Sequence, residues 1–180
     1  MNGLRKRLPP GREVLMVFAV CLFPVFGWSL IWFFQNVPGW LPYLGIWDIL
    51  SILAYALAFG LVESAVVLLF VLLLAAVMPR RWLRTQFAVQ GSVLVLGATF
   101  WAVIFQFIFE AVILFWSPVE FVLWFGLALV SVVLGCVLAR RSVRVGRAIS
   151  GLAERLTVFV YLYVPLGVAG MVVVAARNLL

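Results

Sequence analysis

Glu63 and Glu110 are the only charged residues set deep inside the long apolar runs of this chain. An ionised carboxylate in hydrocarbon costs a few kcal/mol, so such a group is neutral, hydrogen-bonded or turned to water. Each therefore marks a candidate site, either a protonatable carboxyl for moving protons or cations, or a polar anchor for a small ligand. Neighbouring residues sharpen this. In 46–78, Asp48, Ser51, Tyr55 and Glu63 share a helical face about 120° wide. In 88–116, Ser92, Thr99, Gln106 and Glu110 share one about 40° wide. Counted from the turn between these segments, Glu63 and Gln106 lie at comparable depth, with Glu110 about 6 Å further out. Facing stripes on two arms of a hairpin would hide their polar groups from lipid, with a hydrogen bond from Gln106 to Glu63. The candidate intramembrane polar site is thus Glu63, Gln106, Glu110, Tyr55 and Thr99. The same residues also read as interhelical glue, or as a contact with another subunit. With no basic residue deep in any span, a neutral Glu is the simplest state.

Other chemistry finds little support. The chain has no histidine, which removes bis-His haem and most catalytic zinc sites. Cys21 and Cys136 have no CxxC partner and fall in different spans at different depths, so neither a disulfide nor a metal pair is expected. GxSxG, HExxH, Walker A and GxGxxG motifs are missing, as is an acidic pair at metal spacing. No catalytic, cofactor-binding or metal-ligating residue is assigned, and no cofactor is expected. A lipid-directed enzyme would have to draw on Asp48, Glu120 and the tryptophans near them.

The elements that must position these residues follow from composition. A chain 67% hydrophobic and 11% charged has too little polar surface to cover a soluble core, so its solvent is lipid. At about 20–25 residues per span, 180 residues hold about five transmembrane helices and no soluble domain. The expectation is an all-α integral membrane protein, a single bundle with spans at 13–35, 46–78, 88–116, 119–139 and 157–178. Pro24 and Gly27 kink the first span. Pro38, Gly39 and Pro42 end it, among the interfacial aromatics Trp40, Tyr43 and Trp47. The apolar run after Arg12 continues past Pro24 to Phe34 without a small-x-small site, so it reads as a retained helix rather than a cleaved signal. The second span exceeds the ~30 Å hydrocarbon thickness, so it tilts as one helix or breaks near Gly60 into a separate 46–58 segment. One tilted helix is favoured.

Twelve of the 13 basic residues form three clusters against apolar runs: Arg5, Lys6, Arg7 and Arg12; Arg80, Arg81 and Arg84; and Arg140, Arg141, Arg144, Arg147 and Arg155. Basic residues accumulate on the cytoplasmic side, so the N-terminus is placed inside and the C-terminus outside, in a multi-pass protein of the cell membrane such as a bacterial inner membrane. The net charge of +7 points to anionic lipid headgroups rather than nucleic acid. Segment 140–156 reads as an interfacial amphipathic helix, with Arg140, Arg144, Arg147 and Arg155 toward phosphates and Val145, Ile149, Leu152 and Leu156 opposite. Ser131, Gly135 and Ala139 form a small-xxx-small row suited to close helix packing. The function expected is that of a non-enzymatic accessory or structural subunit of a membrane complex, held by the bilayer and other membrane proteins. The alternative is a small transporter, channel or ligand-binding component using Glu63, Gln106 and Glu110.

Overall fold

Where water is excluded, every backbone N–H and C=O must be satisfied within the chain, and uninterrupted helices do this locally. The computed structural model describes residues 9–78, 86–112 and 117–179, with all their side chains except those of 109–112. Arg5, Lys6, Arg7, Arg80, Arg81, Arg84 and the Glu110 side chain lie outside the described residues. Five helices are present among the described residues: α1 (Gly11–Trp40), α2 (Ile46–Val77), α3 (Phe87–Val112), α4 (Pro118–Arg141) and α5 (Val143–Leu179). Each is long and apolar enough to cross a membrane. No strand occurs among the described residues.

Local chemistry explains most helix ends. Met78 is extended (φ −70°, ψ 149°), as the residue before a proline must be. Gly45 precedes α2 in extended geometry. Pro118 occupies the first turn of α4, and the Ser117 N–H donates to Glu120 Oε2 at 2.6 Å. α2 runs unbroken through Gly60.

Two boundaries differ from expectation. α1 continues through Pro38 to Trp40. Pro38 forfeits a single hydrogen bond near the helix end, and Trp40 packs edge-on against Trp32 and Phe33 (5.6 and 5.9 Å between centroids), which holds the last turn. The segment expected as a separate interfacial helix is divided. Arg140 and Arg141 close α4, Ser142 alone is extended, and 143–156 form the first turns of the 37-residue α5. No proline interrupts 143–157, so these turns and the apolar run after them form one helix.

α1, α2 and α5 pack mutually, while α3 pairs with α4 and reaches the trio mainly through α1. The core gathers Val17, Val20, Cys21, Val71, Phe87, Val95, Ala153 and Leu156, with Leu22, Phe26, Leu57 and Tyr163 above them. Phe26 stacks on Tyr163 at 4.6 Å. Backbone proximity sets the α2–α5 contact. A Cβ on Gly170 would stand 2.6 Å from the Ala54 carbonyl oxygen, and one on Gly167 would stand 2.7 Å from Leu61 Cβ. In α3 the buried described residues are Phe87, Ala88, Gln90, Gly91, Ser92 and Val95, and in α4 only Ala139 is buried. The α3–α4 pair is therefore seated on the bundle at the end bearing Arg12, Arg140 and Arg141. We call this the basic end, and the one bearing Trp40 the aromatic end.

Candidate functional site

The sequence-derived polar site depends on α2 facing α3, and the fold does not arrange them so. α1 and α5 line α2 instead, and α2 meets α3 near the basic end, where Gly91 lies against Val71. Glu63 is exposed near the middle of α2, beside the exposed Phe59, Val66 and Phe70. Gln106 is exposed on α3, and Thr99 is half-buried. Along the α3 stripe, Ser92 is fully buried, Thr99 half-buried and Gln106 exposed, which follows the pair as it leaves the core. Ser92 Oγ is a buried polar atom with no partner among the described residues. The physical reason for the pairing is a balance of magnitudes. A hydrogen bond between membrane helices is worth about 0.6 kcal/mol on average. Close packing of α5 on α2 through two glycines, and of α1 on α3 through Gly91, outweighs one such bond.

Tyr55 sits elsewhere, near the aromatic end. Its hydroxyl accepts from Asn178 Nδ2 at 2.8 Å, and Arg177 Nη2 reaches Asp48 Oδ1 at 3.5 Å. These contacts tie the end of α5 to the start of α2. They are exposed and unaccompanied by a metal cluster; no group of three metal-ligating acids or cysteines occurs among the described residues.

At the basic end, Glu13 Oε2 accepts the Ala88 N–H at 3.1 Å. A carboxylate there satisfies one orphan donor of α3 and complements the positive end of its dipole. Arg12 Nη2 bonds Glu154 Oε1 at 2.7 Å, joining α1 to α5. Arg140, Arg144, Arg147 and Arg155 are all exposed. On the opposite side of the α5 turns, Leu156 enters the core and Ile149 is half-buried, whereas Val145 and Leu152 remain exposed.

The small-residue row of α4 lies against α3 and α5. Trp101 Nε1 donates to Ser131 Oγ at 2.5 Å, and Ser131 Oγ donates to the Ala128 carbonyl at 2.8 Å. A Cβ on Gly135 would meet Val93 at 3.3 Å, and one on Gly146 would meet the Ala139 carbonyl oxygen at 3.3 Å. An open groove of about 430 Å³ runs beside this contact, lined by apolar residues that include Leu96, Phe100, Val132 and Ile149. A second cavity of about 380 Å³ lies at the basic end of α3 and α4, with Gln90, Arg140 and Arg141 in its wall.

Sequence reasoning passed over Glu13, Gln90 and Trp101. Glu13 had a visible signal, an acid in the first turn of a helix next to Arg12. Gln90 and Trp101 had none beyond being polar-tipped residues in an apolar run. The described residues thus form an all-helical fold of five apolar helices compatible with a multi-pass membrane protein. Comparison with family models, curated proteins and solved structures finds no match.

Proposed function

We propose that this is a non-enzymatic membrane protein acting as an accessory or structural subunit of a membrane complex, with its N-terminus on the cytoplasmic side. One observation carries the reading: the exposed carboxyl of Glu63 near the middle of an apolar, membrane-length helix. Facing acyl chains, an acidic group at that depth is disfavoured by about 2.5–3.5 kcal/mol. A neighbouring helix that offers a hydrogen-bond donor or a basic side chain removes much of this cost. The exposed Gln106 extends the same requirement to a second surface. The transport reading needs Glu63 and Gln106 to share a cavity, and their separate exposed positions favour the subunit reading over it. Arg12, Arg140, Arg141, Arg144 and Arg147 at one end of the bundle support the inward orientation and contact with anionic headgroups.

The test is purification in mild detergent with and without Glu63→Leu. A partner should accompany the native chain and be lost from the variant. A native chain that purifies alone, monomeric and stable, would refute the proposal.

A further inference from the structure

The cavity at the basic end of α3 and α4 has the makings of a ligand site independent of the Glu63 surface. It measures about 380 Å³ and is lined by Gln90, Cys136, Val137, Arg140 and Arg141. That lies within the roughly 300–1,000 Å³ typical of small-ligand sites. Gln90 is only 4% exposed, and its Nε2 donates to the Cys136 carbonyl at 3.2 Å. This bond ties the amide across the two helices. A carboxamide carries two N–H donors and one carbonyl acceptor, so one donor and the acceptor remain without a partner among the described residues. Gln90 Oε1 is not among the sealed, unpartnered polar atoms, so the amide is not closed off from the cavity that it lines.

Arg140 and Arg141 are exposed in the last turn of α4, and neither has an ion pair among the described residues. The carbonyl end of α4 contributes the equivalent of about half a negative charge. Two guanidinium groups leave the cavity clearly positive. A planar guanidinium presents paired N–H donors that match phosphate oxygens. The apolar faces of Cys136 and Val137 complete a wall that is charged at one side and apolar at the other.

We propose that this cavity binds a phosphate group, presented by the headgroup of an anionic phospholipid whose acyl chains lie along α3 and α4. The arginines grip the phosphate oxygens, and Gln90 fixes the wall between α3 and α4 through its bond to the Cys136 carbonyl. Arg144, Arg147 and Arg155 on α5 attract anionic lipid diffusely and do not define the site.

The test uses the full-length chain in detergent, titrated with phosphatidylglycerol or phosphatidylcholine and read by native mass spectrometry. Phosphatidylglycerol should bind preferentially. A hydrogen bond to a charged group is worth about tenfold or more, so Arg140→Gln with Arg141→Gln should weaken binding about 100-fold. Arg144→Gln with Arg147→Gln should change it less than about threefold. All four side chains are exposed, so the lipid-free melting midpoints should match the native value. Competition by millimolar inorganic phosphate, lost in the Arg140/Arg141 double variant, would show that the site also accepts phosphate from solution. Lack of competition assigns it to lipid alone. Equal losses in the two double variants, or equal binding of phosphatidylcholine, would overturn the proposal.

Discussion

Gly170→Ala is the most demanding test of the packing. The added methyl would lie 2.6 Å from the Ala54 carbonyl oxygen and 3.1 Å from the Ala58 nitrogen, both backbone atoms of α2 that no rotamer change can move. A carbon rests against a carbonyl oxygen at about 3.3–3.6 Å, so α5 must retreat by about 0.7–1 Å. A gap of that width forfeits about a quarter to a half of each contact well along the interface. Overpacking typically costs about 1–3 kcal/mol, and a backbone obstacle places this substitution near the top, at ~3 kcal/mol. For a chain of this length each kcal/mol moves the midpoint by about 2–4 °C, giving a loss of ~6–12 °C. Tryptophan fluorescence during thermal unfolding in detergent reads the shift. Gly27→Ala and Gly126→Ala are controls, because a Cβ at either position meets nothing within 4 Å. If Gly170→Ala melts with the two controls, the close approach of α5 to α2 is wrong.

Two further substitutions probe polar contacts that the fold alone reveals. Glu13→Ala removes the acceptor at the start of α3 and should cost about 0.5–2 kcal/mol, with faster hydrogen exchange at the Ala88 amide; unchanged exchange there would dismiss the cap. Trp101→Phe and Ser131→Ala should be strongly non-additive. A double-mutant cycle is expected to return a coupling of about 0.6–1.7 kcal/mol in detergent, and a coupling near zero would mean the α3–α4 hydrogen bond does not form.

Helix positions were largely legible because the signal is local. An apolar run of membrane length must be helical to satisfy its own backbone, and Pro79 and Pro118 punctuate the runs at the helix ends. Pro38 shows the limit of that punctuation, since aromatic packing around Trp40 carries α1 past it. Ser142 shows another. A single extended residue separates α4 from α5, and no composition shift in 140–156 announces that residues 143–156 continue into the last apolar helix. The polar site was the least legible part. A short connection makes consecutive helices antiparallel without making them neighbours, so the Glu63 and Gln106 stripes could be counted to equal depth and still not meet.

The sequence by itself determined the membrane-compatible hydropathy, the long apolar helices seen among the described residues and the places where ionisable groups sit along them, because hydropathy and helix rise depend only on nearby residues. The tertiary structure decided which faces those groups occupy. Gly91, Gly167 and Gly170 let backbones approach, and close packing over whole helix faces is stronger than any one polar contact between them. That preference inserted α1 and α5 where α3 was expected. It left Glu63 exposed on α2, and it joined Gln90 to the Cys136 carbonyl beside two arginines with no ion pair among the described residues.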